Sequence, residues 1–117
     1  MPIVQYIVVR GDLGWPLGAL MAQACHASVA AITKFNGHEN TKAYLDQLET
    51  MHKVVLKANE EQLMHLTKNF SDNNIDHYLW KEMPENIMSS LATRPYEKKI
   101  ILPFVKHLKL FDQPEKV

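Results

Sequence analysis

The run of residues 3–10 places the strongest constraint on how this chain can fold. It reads Ile-Val-Gln-Tyr-Ile-Val-Val-Arg, and its β-branched and aromatic side chains show no helical periodicity. Such a run is typical of a strand buried on both faces, and these strands occur in sheets that helices cover on both sides. We therefore expect an α/β fold, a three-layer sandwich in which residues 3–10 form an internal strand.

A turn and a long helix follow this strand. Gly11 and Gly14 break the strand pattern, and the alanine- and leucine-rich residues 16–35 favour a helix. Pro16 suits a first helical turn, where its missing N–H group costs nothing. The Asn-Gly pair at residues 36–37 is typical of a helix C-cap and predicts the end of this helix.

The remaining sequence alternates between predicted helices and strands, as an α/β sheet requires. Asn59 and Gln62 form a capping pair that opens a helix. Pro103 is expected to bend or shorten the last helix, although residues 99–102 also have strand propensity. The predicted helices cover residues 40–51, 59–70 and 96–108, and the predicted strands cover residues 53–57, 75–82 and 87–93.

Length and composition limit the class of protein. The 117 residues fit one domain spanning residues 1–117, which is large enough to bury a core without disulfides or a metal. No apolar run approaches the roughly 20 residues that a membrane-spanning helix needs. The N-terminal residues lack the pattern of a secretory signal or a transit peptide, so we expect a cytoplasmic protein that does not contact a membrane. Cys25 is the single cysteine, so an internal disulfide is excluded.

The charge balance restricts how the chain can bind nucleic acid. Its 13 Lys and Arg residues equal its 13 Asp and Glu residues, so the molecule as a whole does not attract a polyanion and any such binding must be local. Residues 11–18 precede a predicted helix N-terminus, where free N–H groups and the helix dipole favour an anion. They lack the P-loop ending and the dinucleotide-binding spacing, which disfavours nucleotide hydrolysis and NAD binding.

Three polar residues are candidates for chemistry. Gln23 and His26 lie three residues apart, and therefore on one face of the predicted helix. Histidine is the side chain whose ordinary pKa lies nearest to neutrality, so His26 is a candidate general acid or base with Gln23 as its hydrogen-bonding neighbour. Glu82 ends a predicted strand, a usual place for a catalytic carboxylate. Each of these side chains also has a structural interpretation, in which it pairs with backbone groups or faces solvent.

The two tryptophans also have two interpretations. Trp15 stands beside the glycine-containing loop, where it can stack on a terminal base of a nucleic acid. For both Trp15 and Trp80, we favour packing against the core over a role as a nucleobase platform.

Several of these segments occur together in one known family. The chain resembles the type-2 peptidyl-tRNA hydrolases over residues 4–111, and it is most similar to the branch called peptidyl-tRNA hydrolase domain-containing protein. The motifs that carry the resemblance are Val-Val-Arg-Gly-Asp-Leu at residues 8–13, Trp-Pro-Leu-Gly-Ala-Leu at 15–20, Ala-Gln-Ala-Cys-His-Ala at 22–27, Lys-Val-Val-Leu-Lys-Ala at 53–58, Glu-Glu at 60–61 and His-Leu-Lys-Leu-Phe at 107–111.

The resemblance implies a fold and an activity. The fold is a mixed sheet of about four strands between helices, and the activity is hydrolysis of the ester bond that joins a peptide to the 3′ ribose of tRNA. It implies no metal or organic cofactor. The substrate, peptidyl-tRNA, would meet the site through its single-stranded 3′ end.

The resemblance also implies roles for individual residues around an activated water. His26 is the candidate for proton transfer, while Gln23 and Asp12 position water or substrate. Glu82 completes the catalytic set. The expected substrate-binding residues are Arg10, which also orders the loop carboxylate, together with Trp15, Gly18 and Asn86.

The chain departs from the family pattern in two places. Leu17 and Ala19 stand where the family carries lysines in a Gly-Lys-Gly-Lys pattern. The family motif Asp-Ala-Gly-x-Thr is represented by Glu-Met-Pro-Glu-Asn at residues 82–86, which keeps a carboxylate at Glu82 and a polar group at Asn86. Loss of one preorganised electrostatic contact costs about a hundredfold in rate, so the lost lysines leave the level of activity open.

Two alternatives to peptidyl-tRNA hydrolysis follow from these departures. One is a non-catalytic module that kept the fold and recognises tRNA ends or a protein partner. The other is a hydrolase of less anionic small esters or amides. The sequence does not fix the oligomeric state, so a homodimer stays open under each alternative.

Overall fold

The computed structural model describes residues 2–116 and contains a mixed six-stranded sheet. The strands are β1 (Ile3–Arg10), β2 (His52–Ala58), β3 (His77–Glu82), β4 (Ile87–Thr93), β5 (Tyr96–Glu97) and β6 (Lys109–Leu110). They are arranged in the order β3-β4-β1-β2-β6, with β5 paired to β1. β1 runs parallel to β2 and antiparallel to β4. The sheet thus has six strands rather than about four, because two short pairings of two residues each extend it.

Helices cover both faces of this sheet, which confirms the predicted α/β fold. On one face, Ile7 and Val9 of β1 pack against the buried side of the first helix. On the other face, Val4, Tyr6 and Val8 pack against the third and fourth helices. The helices are α1 (Leu17–Lys34), α2 (Glu39–Leu45), α3 (Glu60–Asp72) and α4 (Lys98–Val105), and a short 3-10 turn spans Leu48–Thr50.

Two helices are shorter than predicted. α2 ends at Leu45 rather than at residue 51, because Leu48 and Met51 are 57% and 39% exposed and do not hold that segment against the core. The last helix begins at Lys98 rather than at residue 96, since Tyr96–Glu97 pairs with β1. It ends at Val105, two residues after Pro103.

The predicted ends of α1 and α3 agree with the structure, but one predicted cap is wrong. α1 ends at Lys34, and its C-cap is Phe35, whose backbone N–H donates to the carbonyl of Ala31. Gly37 does not have a positive φ, so it does not act as a left-handed C-cap. α3 begins with the predicted capping box between Asn59 and Gln62.

The last residues of three strands lie at the same end of the sheet, which we call the carboxyl edge. β1 and β3 are both antiparallel to β4, and β2 is parallel to β1, so their last residues Arg10, Ala58 and Glu82 lie along this edge. α1 and α3 begin there because they follow β1 and β2. The topology therefore gathers helix N-termini and strand ends on the same side of the molecule.

Residues after β6 fold back over this edge. Lys57 Nζ lies 2.9 Å from Asp112 Oδ1 and 3.3 Å from Glu115 Oε1. The backbone N–H of Glu115 donates to the carbonyl of Gly11 at 2.8 Å. A Cβ atom on Gly11 would lie 2.7 Å from Lys57 Cδ, so a side chain here would require the stem of Lys57 to shift. Gly14 serves the turn itself, with a φ of 74°.

Within residues 2–116, none of the helices combines the length and the apolar character that crossing a bilayer requires.

Candidate active site

Arg10 and Asp12 form a bidentate ion pair at the end of β1. Arg10 Nε and Nη2 donate to the two carboxylate oxygens of Asp12 at 2.9 and 3.2 Å. Arg10 Nη1 also donates to the carbonyl of Met88 at 3.2 Å, and the backbone N–H of Glu60 donates to Asp12 Oδ2 at 3.1 Å. The pair therefore connects β1 to β4 and to the first residue of α3.

The contacts of Asp12 set its ionisation. Partial burial acts to raise the pKa of Asp12, but the hydrogen bonds from Arg10 and from the Glu60 backbone outweigh it. The net result is a pKa below the ordinary value for aspartate. Asp12 is consequently a firmly ionised carboxylate whose oxygens are already occupied by protein donors.

Gln23 is fixed in the interior between α1 and β4. It is 2% exposed, and Ser89 Oγ donates to its side-chain oxygen at 2.5 Å. Ser90 Oγ donates to the main-chain carbonyl of Gln23 at 2.9 Å. Because the side-chain oxygen is occupied, the amide N–H group is the part of Gln23 that is left to act on a neighbouring acceptor.

His26 lies one turn further along α1 and stacks on Trp80 of β3. The two ring centroids are 4.7 Å apart and the ring planes differ by 18°. His26 is exposed, whereas Trp80 is partly buried. The stack therefore fixes the plane of the imidazole while the ring stays accessible to solvent.

Glu82 joins these residues into one cluster. The indole N–H of Trp80 donates to Glu82 Oε1 at 3.0 Å. This hydrogen bond lowers the pKa of Glu82 and outweighs desolvation, which raises it, and the side chains of Gln23 and His26 lower it further. Glu82 is therefore ionised at neutral pH. We call Gln23, His26, Trp80 and Glu82 the α1–β3 cluster.

The α1–β3 cluster and the Arg10–Asp12 pair lie on opposite faces of the sheet. Trp80 packs with the apolar residues beneath α1, whereas Asp12 bonds to the first turn of α3. β4 connects the two groups, since the Met88 carbonyl accepts from Arg10 and the next residue, Ser89, holds Gln23. The structure thus brings Gln23, His26 and Glu82 together and places Asp12 apart from them.

The first turn of α1 offers free backbone donors. Its N-cap, Pro16, makes no side-chain capping bond, Leu17 is 53% exposed, and a Cβ atom on Gly18 would meet no atom within 4 Å. Such a helix N-terminus favours an anion. Gly18 and His26 are separated by about 12 Å along the helix axis, at about 1.5 Å per residue. One small chemical group therefore does not contact both.

The two other expected substrate-binding residues occupy different settings. Trp15 is partly buried and packs against the apolar cluster beneath α1. Asn86 is exposed in the β3–β4 turn and has a φ of 58°. Because asparagine tolerates this left-handed conformation better than most residues, the turn alone accounts for its presence. A contact of either residue with substrate stays a prediction.

Two residues of the site were missed in the sequence. The packing predicted for Trp80 is confirmed, because Trp80 lies against the apolar cluster beneath α1, but its hydrogen bond to Glu82 was not predicted. Trp80 and Glu82 are two positions apart on a strand, a spacing that places side chains on the same face. Ser89 was not singled out, because its contact with Gln23 joins residues 66 positions apart. The spacing of Trp80 and Glu82 could have predicted their contact, whereas no nearby residue indicates the contact between Ser89 and Gln23.

The chemistry available at the α1–β3 cluster is proton transfer. An accessible imidazole stacks on the indole that holds an ionised carboxylate, and the imidazole and the carboxylate line one surface pocket. Among residues 2–116, no group of three or more His, Cys, Asp or Glu side chains is arranged to hold a metal ion.

Comparisons with known proteins show the family to which this chain belongs. The family model described as "Peptidyl-tRNA hydrolase PTH2" matches residues 3–111. The chain is 47% identical over 115 residues to the human protein named "Putative peptidyl-tRNA hydrolase PTRHD1", covering 93% of this chain and 82% of that protein. It is 34% identical over 115 residues to "Probable peptidyl-tRNA hydrolase 2" of Dictyostelium discoideum, covering 92% of this chain and 54% of that protein. It is 30% identical over 112 residues to "Peptidyl-tRNA hydrolase" of Methanothermobacter thermautotrophicus, covering 91% of this chain and 97% of that protein. The family prediction is confirmed: the chain belongs to the PTH2 family of peptidyl-tRNA hydrolases.

Proposed function

We propose that this chain hydrolyses the ester bond between a peptide and the 3′ ribose of tRNA. The observation that carries the proposal is that the accessible His26 imidazole and the ionised Glu82 carboxylate line one surface pocket and contact the same indole, that of Trp80. Membership of the PTH2 family supports peptidyl-tRNA as the substrate. Because this substrate arises during translation, we propose that the protein acts in the cytoplasm.

In the proposed reaction, His26 accepts a proton from a water molecule as that water attacks the ester carbonyl carbon. The negative charge of Glu82 stabilises the imidazolium ion that forms. The tetrahedral intermediate then collapses, the bond between the carbonyl carbon and the ribose 3′ oxygen breaks, and His26 returns the proton to that oxygen. The products are a peptide with a free carboxyl group and a tRNA with a free 3′ hydroxyl group.

Gln23 and Trp80 act as positioning residues in this scheme. Trp80 donates to Glu82, both residues lower the pKa of that carboxyl, and Gln23 is itself held by the buried Ser89. The 2% exposure of Gln23 favours a positioning role over direct contact with substrate. We assign these two residues to holding the carboxylate ionised and in place beside His26.

We assign the first turn of α1 to a phosphate of the tRNA outside its unpaired 3′ end. The distance of about 12 Å between Gly18 and His26 separates this turn from the reacting carbonyl. The bare Cα of Gly18 lets a phosphate oxygen approach the backbone N–H groups closely. Because Leu17 and Ala19 supply no charge here, we expect weak phosphate binding and slow turnover relative to a relative with lysines in this turn.

The Arg10–Asp12 pair is proposed as a second positioning element. It contacts the Met88 carbonyl, and the next residue, Ser89, holds Gln23. Loss of the pair is therefore expected to act on the cluster through β4, without direct contact to the substrate.

The test is hydrolysis of peptidyl-tRNA by the purified protein and by His26→Ala. Removal of the general base is expected to lower kcat about 10²- to 10⁴-fold. Glu82→Gln keeps the shape of the carboxylate without its charge, and we expect a smaller loss. His65→Ala is the matched control, because His65 is an exposed histidine on α3 at the opposite face of the sheet. Wild-type turnover that His26→Ala leaves unchanged would refute the proton-transfer role.

A second candidate function is a non-catalytic module that binds tRNA ends. The uncharged first turn of α1, with Leu17 exposed, is the observation that favours it. Titration of the protein with intact tRNA and with tRNA lacking its 3′ terminal nucleotides separates the two functions. Tight, end-dependent binding without hydrolysis would support the module, and hydrolysis would exclude it.

A further inference from the structure

A groove runs beside the α1–β3 cluster, between α1 and β3. We infer that this groove binds the unpaired nucleotides of the tRNA 3′ end, with one nucleobase stacked on the His26–Trp80 pair and a phosphate beside Lys34. The identity of the ligand as tRNA rests on the proposed function. The position of the RNA on the protein is an inference that goes beyond the proposed function.

The stacked rings provide a platform for a nucleobase. His26 and Trp80 form two nearly parallel layers, with the more accessible imidazole on the outside. A planar base placed on His26 would continue the stack as a third layer. Stacking on aromatic side chains is the usual way in which proteins hold unpaired bases, because it needs no base pairing and suits every base.

Stacking is compatible with the proposed proton transfer. A base would contact the flat face of the imidazole, whereas the ring nitrogens lie at its edge. The same residue can therefore orient the terminal nucleotide and take a proton from water. This arrangement also places the ribose that carries the ester close to the reacting group, as an efficient reaction requires.

The groove has the size and the lining that this ligand needs. Its volume is about 490 Å³, within the range of ligand sites. Tyr78 and Trp80 line its β3 side, and their ring centroids are 6.3 Å apart. Val29, which is 65% exposed, and Lys34 line its α1 side. Two aromatic rings thus face a helix that ends in a cation.

Lys34 is placed to bind a phosphate. Its Nζ lies 5.7 Å from the centroid of the Tyr78 ring and 5.5 Å from that of Phe35. No carboxylate among residues 2–116 forms an ion pair with it, so its charge is available to a ligand. A purely aliphatic ligand would leave this cation unused, whereas a nucleotide uses both the rings and the charge.

Binding is tested with the RNA tetranucleotide 5′-ACCA-3′, labelled with a fluorophore at its 5′ end and titrated with the wild-type protein. We expect a saturable rise in the fluorescence anisotropy of the label. His26→Ala and Lys34→Gln should each weaken binding about tenfold, whereas His26→Phe keeps a stacking ring and should bind like the parent. Lys106→Gln is the control, because Lys106 is an exposed lysine after α4 on the other face.

Steady-state hydrolysis of peptidyl-tRNA gives the second readout. Lys34→Gln and Tyr78→Leu should raise KM with little effect on kcat, since both residues bind and neither transfers a proton. His26→Phe should lose kcat while it keeps its affinity for the tetranucleotide. Thermal unfolding checks the fold of each variant, and the exposed Lys34 decides the test if Tyr78→Leu does not fold.

The two proposals fail in different ways. Tetranucleotide binding that is absent, or that His26→Ala and Lys34→Gln leave unchanged, would overturn the assignment of the groove, even if peptidyl-tRNA is hydrolysed. Binding that depends on these residues, in a protein that hydrolyses no peptidyl-tRNA, would overturn the proposed reaction and support the groove.

Discussion

Gln23 and His26 illustrate how far residue spacing alone can place a functional side chain. A separation of three positions puts them near one another on α1, but it also turns them about 60° apart around the helix axis. That rotation is enough to bury Gln23 at 2% exposure and to leave His26 exposed. The sequence therefore identified both residues, whereas their different roles depend on how α1 lies against β4.

Asp12 should supply a pH-dependent part of the stability. In the folded protein, the pKa of Asp12 lies below the ordinary aspartate pKa of about 3.9. Its contribution is therefore fully present above that ordinary value and is lost as the pH falls through the folded pKa. Asp12→Asn keeps an acceptor for the Glu60 N–H but loses the ion pair with Arg10. We expect the free energy of unfolding at neutral pH to fall by about 1–3 kcal/mol.

Urea unfolding at neutral pH and near pH 3 measures this effect in both proteins. The difference between wild type and Asp12→Asn should narrow at the lower pH, because pH 3 lies below the ordinary aspartate pKa and the carboxylate of the unfolded wild-type chain then takes up a proton, which favours unfolding. A difference of the same size at both pH values would argue against an ionised Asp12 as its source.

At the scale of secondary-structure elements, the sequence predicts well the helices and strands whose bounds depend on local propensity and end signals. β1, α1 and α3 carry strong propensities and end signals, and their predicted bounds agree closely with the structure. β5 and β6 have only two residues each, and they are strands because β1 and β2 offer them partners. Their pairing is a tertiary contact, so it leaves little trace in the sequence nearby.

The β3–β4 hairpin allows a test of what Asn86 does. Its φ of 58° is tolerated by asparagine and glycine but strained in β-branched residues. We expect Asn86→Gly to stay close to wild type in stability and Asn86→Val to lose about 1–2 kcal/mol. Thermal unfolding measures both. Asn86→Gly also removes the amide, so a rise in KM for peptidyl-tRNA with unchanged stability would assign the side chain to substrate binding, and an unchanged KM would leave it a turn residue.

At the scale of the whole molecule, topology makes the site. Glu82 ends β3, the Gln23–His26 pair lies on α1, and Ser89 lies on β4, so the α1–β3 cluster exists only once these three elements pack together. The sequence supplied the candidates His26 and Glu82 and the expectation that strand ends converge. It gave no basis for separating Asp12 from them, because the face of the sheet on which each side chain falls depends on register across strands.

The balanced charge of the molecule leads to an expectation about salt. With 13 basic and 13 acidic residues, attraction to RNA must come from individual cations such as Lys34. For single-stranded RNA, each neutralised phosphate contributes about −0.7 to the slope of log K against log salt concentration. We expect a slope near that value for 5′-ACCA-3′ and a flatter one for Lys34→Gln. Titrations between about 50 and 200 mM salt measure it, and a slope several times steeper would require further cations in the groove.

The contact between Gly11 and Lys57 has a consequence for how this sequence can change over time. A side chain at position 11 fits only if the stem of Lys57 moves, because that stem passes over it on the way to Asp112 and Glu115. The constraint therefore belongs to the pair of positions. We expect the two positions to covary among relatives, with a larger residue at position 11 appearing where position 57 carries a shorter one, and with the acidic partners at 112 and 115 then free to drift.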